Sequence, residues 1–339
     1  MCVEGVINMK ITTTHSLNFD LLCLLNVMTA DKFYTKLHKK EFKKFYPLLS
    51  DDIKAKIKAV TDRRNTTMLW PLIALLISSL DDYANRDLCE MLAAHDEIRG
   101  QINQSPYIFT DEKLDGYFSD ILNVVIPFVK EMVNIGVVEY WTQTKLPALE
   151  KRCAALNEYL QKYNIYDEIS NLKTFDEADI TMYLCAFAAP HGCKLVGYNM
   201  ISHYKWPDKT ILSVTTHEMF HPPYDRTAVD DAATKLGQAI IKLGQLPWVV
   251  TAYENQNENR AYRPMNGFIE ENIVEALGIY VLTKLVRYNA HKYFRKHDYG
   301  SHVISPHFYD YLNDYPKNRE QTFEEYFIDF VDYLVAKEG

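Results

Sequence analysis

Residues 217 to 221 read HEMFH, and side chains in that order can do one specific kind of chemistry. His217 and His221 stand four apart, so on a helix both imidazoles leave the same face about one turn from each other. Two ring nitrogens so placed can reach a single tetrahedral zinc ion at roughly 2.0–2.1 Å. Glu218 follows the first histidine, which sets its carboxylate beside such an ion and not on it. There it can take a proton from a zinc-activated water as general base. With 11 histidines and 45 acids in 339 residues, accident supplies about 0.05 such matches per chain, even when Asp is allowed for Glu. The bland alternative is a helix with two surface histidines and a solvated glutamate, and a third ligand is what separates the two readings.

Candidates for that ligand lie on GFIEENIVEALGIYV, residues 267 to 281. Glu271 and Glu275 share a helix face, and Glu270 points about 100° away from Glu271. The same face carries Gly278, whose missing side chain would let another backbone or side chain approach closely. Acids flanking Ile273, Val274 and Leu277 are costly unless something positive neutralises them. A zinc ion, with a ligand histidine donating its other ring N–H, would do so.

HEMFH followed by Glu271-Asn-Ile-Val-Glu275 resembles the gluzincins, the thermolysin-like branch of the zincin metallopeptidases. Their pattern is HExxH and then a later helix carrying ExxxD or ExxxE. The resemblance implies that His217 and His221 are the first two zinc ligands and Glu271 the third. It makes Glu218 the base and Glu275 the carboxylate that orients a ligand histidine. It also implies an edge strand ahead of the zinc helix that binds extended substrate by strand addition, for which YLCAFAAP is the candidate. A Tyr or His opposite the metal should stabilise an oxyanion. KHDYGSHVISPHFYDY offers His297, Tyr299, His302, His307 and Tyr309; His302, beside a Gly-Ser turn, is favoured over the rest, against the reading of all five as loop and cap residues. His191 and His203 read as structural or exposed.

The resemblance covers roughly residues 178 to 286, and two features depart from it. His221 and Glu271 are separated by 49 residues, a longer gap than in thermolysin. Pro222-Pro223 cannot continue a helix, so His221 should sit at or near the helix C-terminus, with both histidines inside the helical turn. No further histidine completes the metzincin arrangement HExxHxxGxxH.

The elements that must position these residues read as α+β and predominantly helical. MKITTTHS alternates as one strand, and the chain then turns helical from Asn18 to about Asn164. ITMYLCAFAAP and KLVGYNMISHYKW, separated by the turn signal PHG, read as a hairpin. PDKTILSVTTHEMFH then reads as a helix capped by Asp208 with Ile211, Leu212 and Val214 on its buried face. Thr322 and Glu325 have capping-box spacing at the head of the last helix. A boundary near residue 166 gives a mostly helical region 1–165 and a zincin-like metallopeptidase domain 166–339, in which a small sheet or hairpin precedes the HExxH helix.

Bulk composition narrows the function classes. The net charge of −8 argues against a nucleic-acid partner, and KLHKKEFKKF reads as an amphipathic helix with a solvated lysine face. LLCLLNVMTA has Asp20 just ahead of it and no adjoining basic segment, and MLWPLIALLISSL is too short to span a bilayer and reads as a buried helix. A cytoplasmic, reduced setting without membrane association is therefore expected. None of the six cysteines forms a CxxC pair, although Cys185 and Cys193 could face each other across a hairpin. Asn65 and Asn103 open sequons that matter only in a secretory setting. The expected activity is zinc-dependent hydrolysis of a peptide or protein substrate. Aminopeptidase, endopeptidase, oligopeptidase and non-peptide amide hydrolase all remain open, as does the oligomeric state. The competing expectation is a non-catalytic binding or regulatory protein on a zincin scaffold, with zinc structural or lost.

Overall fold

A computed structural model describes residues 11–102, 109–173, 179–256, 262 and 264–338; the Asn103 sequon and Cys2 lie outside them. The chain is predominantly helical with one small mixed sheet. It divides into two compact units: Lys10–Gln161 with Ala178–Asp208, and Lys162–Glu177 with Lys209–Gly339. Among the described residues the chain thus changes unit after Gln161, between residues 173 and 179, and after Asp208, not once near residue 166.

The first unit holds the sheet, in the order β1 (Ile11–His15), β2 (Ile180–Cys185), β4 (Met200–His203), β3 (Cys193–Lys194). β2 runs parallel to both β1 and β4, and only β3 pairs antiparallel with β4. The expected hairpin between the two apolar runs is therefore corrected: the tight turn joins β3 to β4, where Leu195 N–H donates to Asn199 O at 2.9 Å. YLCAFAAP is likewise not an edge, because β2 is hydrogen-bonded on both sides. Its last four residues are all buried, as expected of a near-continuous apolar strand covered on both faces. Among the described residues, β1 is an edge strand and is covered. Thr13 N–H donates to Asn157 Oδ1 at 2.6 Å, and Thr13 Oγ1 donates to Cys153 O at 3.0 Å, both on the helix Leu146–Leu160.

Helix Leu17–Met28 is buried along nearly its whole length. Its Asp20 accepts from Trp141 Nε1 at 2.6 Å and Phe187 N at 3.0 Å. Asn26 Oδ1 accepts from Leu69 N and Trp70 N, the first donors of helix Trp70–Ile77. The lysine-rich segment forms two short helices, Lys32–Leu37 and Lys39–Phe45, with Phe45 buried and its lysines outside. Among the described residues no single helix is long and apolar enough to cross a membrane. No disulfide joins the described cysteines.

The second unit is built on helix Met265–Leu285, which is buried from Phe268 through Ile279 apart from a half-buried Glu271. Helices Ile165–Ser170, Lys235–Gly244 and Ser305–Asp314 pack against it. An apolar surface all round marks a helix enclosed by others. Asn272 pins the start of Ser305–Asp314: its Oδ1 accepts from Ile304 N at 3.0 Å, and Ser305 Oγ donates to its carbonyl at 2.7 Å. The final helix Phe323–Glu338 opens on the expected reciprocal cap, Thr322 N to Glu325 Oε2 at 2.9 Å and Glu325 N to Thr322 Oγ1 at 3.1 Å.

Candidate metal centre

Helix Asp208–Glu218 presents the motif, with Asp208 as its first residue. Ile211 and Leu212 are buried as expected, whereas Val214 is half-buried. The helix ends at Glu218, earlier than the sequence suggests. Phe220 N–H then bonds to His217 O at 3.0 Å and His221 N–H to Glu218 O at 3.3 Å. These are tight i→i+3 steps of the kind that close helix ends. The physical reason is the pair of prolines, which offer no N–H and push His221 out of the α region. His221 is therefore delivered by a 3₁₀-type turn and not by the helix itself, and Met219 and Phe220 anchor that turn as fully buried side chains.

The close approach that Gly278 permits is realised against the first histidine. A Cβ at Gly278 would stand 2.9 Å from His217 Cα and 3.0 Å from its N. Helix Met265–Leu285 thus meets the motif backbone directly and brings its carboxylates within reach of both rings.

His217 Nε2 lies 3.1 Å from His221 Nε2 and 3.3 Å from Glu271 Oε1. His221 Nε2 lies 3.6 Å from Glu271 Oε2. Tetrahedral zinc with bonds of 2.0–2.1 Å separates its ligand atoms by about 3.3–3.4 Å. The three separations lie close to that value, with Glu271 turning one carboxylate oxygen to each ring, so this is a group that could hold a metal ion. Among the described residues, this is the one group of three or more His, Cys, Asp or Glu whose ligand atoms all lie within 4.8 Å of one another.

The far side of each imidazole meets its own carboxylate. His221 Nδ1 lies 3.0 Å from Glu270 Oε1, which also receives Arg226 Nη2 at 2.7 Å. His217 Nδ1 lies 2.8 Å from Glu275 Oε2. That distance is a hydrogen bond's, but the ring N–H is not aligned on the oxygen, so the contact is an ion pair. With Nδ1 of each ring facing a carboxylate, the Nε2 lone pairs are the ones left for a metal.

Charge supports the same conclusion. Glu270, Glu271 and Glu275 are held close to the two rings, and Glu270 also pairs with Arg226. Burial alone would raise the Glu271 carboxyl, but the His217 charge and hydrogen bond overcome that and hold it near 2. Burial would likewise raise Glu275 and Glu270, and His217 and His221 respectively hold them low. The same fields act on His217. Burial pushes its pKa down, yet Glu271 and Glu275 carry it well above the ordinary imidazole range. A proton therefore sits where a dication would, and metal binding must displace it.

Among the remaining sequence candidates, Glu218 ends the motif helix and is half-buried. His302 is 2% exposed, its ring 4.9 Å from that of His297, and its charge is felt by both Glu271 and Glu275. His297 Nε2 stands 4.0 Å from Glu275 Oε2. The structure thus brings His297 and His302 beside the carboxylates. Tyr299 is 76% exposed, His307 faces Trp248, and Tyr309 packs on Tyr280, His291 and Phe294. His191 and His203 belong to the other unit, where they meet Tyr34 and the Cys185 carbonyl. Sequence reasoning gave Glu270 no role. Its adjacency to Glu271 was the available signal, since two ligand histidines need two orienting partners.

No protein-family model matches the chain, and neither a curated protein nor a solved structure matches it.

Proposed function

We propose that the chain is a zinc-dependent peptidase of gluzincin type, with zinc held by His217, His221 and Glu271. The observation that carries this is the set of ligand-atom separations of 3.1, 3.3 and 3.6 Å on residues spaced as HExxH and a later ExxxE. When bound, the ion supplies Lewis acidity that polarises a substrate carbonyl and makes a water acidic near neutral pH. Glu218 takes the proton of that water as it attacks and passes it to the departing amine. Glu270 and Glu275 fix the two imidazoles from behind, so that only Nε2 of each faces the ion. To His302, buried beside His297, we assign the stabilisation of the developing oxyanion.

The test combines elemental analysis with one substitution. Purified protein should carry about one zinc per chain, and Glu218→Gln should keep the metal while losing cleavage of a peptide library by at least ~100-fold. Protein that takes up no zinc after dialysis, or a Glu218→Gln variant with full activity, would sink the reading.

A further inference from the structure

The apolar run MLWPLIALLISSL finds its place in the first unit. Leu69, Leu72 and Ile73, at the head of helix Trp70–Ile77, line a cavity of about 920 Å³. Further walls are Val60 of helix Asp51–Arg64 and Val124 and Val125 of the π-helical turn Ile121–Val125. That turn ends two residues before Pro127, which cannot donate into a regular helix. The cavity is at the upper end of the 300–1,000 Å³ range of small-molecule sites and has their apolar lining.

Its mouth is charged in a particular way. Arg63 and Arg64 converge on the single carboxylate of Asp120, whose side chain is 8% exposed. Arg64 donates from Nε to Asp120 Oδ2 at 2.6 Å and from Nη2 to Gly116 O at 3.2 Å, and its guanidinium lies 3.8 Å from the Tyr117 ring centroid. Arg64 is thus tied down. Arg63 reaches Asp120 through Nη2 alone, with a side chain 61% exposed, and a guanidinium has five N–H donors. Glu112 and Lys113, also at the mouth, cancel each other, so two guanidiniums on one carboxylate leave a single positive charge over an apolar interior.

We propose that this cavity binds a monoanionic amphiphile, an alkyl carboxylate whose chain fills the apolar interior and whose head is received by Arg63. A neutral alcohol lacks the charge for that mouth, and an alkylammonium is repelled by it.

Isothermal titration of the full chain with octanoate, decanoate and dodecanoate below their micellar concentrations tests this. Each pair of added methylenes should tighten binding by roughly 10-fold until the cavity is full. Decanol should bind about 10-fold more weakly than decanoate, and decyltrimethylammonium should not bind. Arg63→Gln should weaken decanoate by about 10-fold and leave decanol unchanged. Leu72→Trp, which fills the interior, should abolish both; should that variant fail to fold, the exposed Arg63→Gln still decides. No decanoate binding at millimolar concentration overturns the proposal, as does equal binding of the ammonium or an Arg63→Gln variant that binds decanoate as before. Flotation with anionic phospholipid vesicles without uptake of monomeric carboxylate would assign the basic mouth to a membrane surface and also overturn it.

Discussion

Each of the two motif histidines has its Nδ1 opposed by a different carboxylate, Glu275 for His217 and Glu270 for His221. The two are not equivalent, because Glu270 also neutralises Arg226. In Glu270→Gln the amide oxygen can accept from His221 or Arg226 with less strength, and its NH₂ opposes one of them. His221 then loses both its fixed ring orientation and part of its basicity. Zinc affinity should fall about 10- to 100-fold, read by competition with a chromophoric chelator, while far-ultraviolet circular dichroism stays unchanged. Unaltered affinity would remove Glu270 from the site. At this scale, HEMFH and Glu271 were legible because the chemistry fixes both residue type and spacing. The role of Glu270 was not, since it depends on Arg226, which reaches the site only through the chain's turn after Pro222-Pro223.

Elements decide whether those residues meet. Helix Met265–Leu285 approaches the motif through Gly278, and what a Cβ there would strike is backbone, not the end of a flexible side chain. Gly278→Ala therefore cannot be relieved by a rotamer change, and the helices must separate by several tenths of an ångström. Overpacking of this kind costs about 1–3 kcal/mol, and the separation pulls Glu271 off the two imidazoles. The variant should melt earlier, and the gap between its zinc-loaded and zinc-free melting temperatures should shrink. A variant that keeps both the stability and the gap would show that the contact does not hold the site together. Gly278 was readable from its place on the Glu271 face, as were the capping box at Thr322 and the buried helix Trp70–Ile77. Strand partners were not: β2 and β4 are each apolar with a turn signal between them, and nothing local distinguishes an antiparallel hairpin from two parallel neighbours with β3 intervening. The helix end at Glu218 was misplaced by three residues, because prolines limit where a helix stops without specifying which bonds close it.

Across the molecule, stability should carry a pH dependence written in part by two buried groups of the first unit, Asp20 and His203. Asp20 is raised to about 7 by burial, against the opposing pull of Trp141, the Phe187 and Ala186 backbone and Lys145. Its carboxyl is neutral in both states below pH 4. Between about pH 4 and 7 the unfolded chain ionises it and the folded chain does not, so stability is lost as pH rises through that window, by about 4 kcal/mol at one unit per 1.36 kcal/mol. His203 is lowered to about 4, first by burial and then by the charge of His38. Its neutral form is what the fold accepts, so its contribution is intact above pH 6.5 and is lost, by about 3 kcal/mol, as pH falls towards 4. The two slopes oppose each other over pH 4 to 6.5 and largely cancel in the native chain. Asp20→Asn separates them. The amide replaces one acceptor oxygen with NH₂ facing Trp141 or Phe187, a loss that is the same at every pH. Against that constant offset, the stability of Asp20→Asn relative to the native chain should climb by up to about 4 kcal/mol between pH 4 and 7 and then level off. Urea unfolding of both proteins at half-unit pH intervals, followed by tryptophan fluorescence, gives that difference directly. A difference that stays flat across the window would place the Asp20 carboxyl in its ordinary range and leave His203 as the only one of the pair to shape the acid limb.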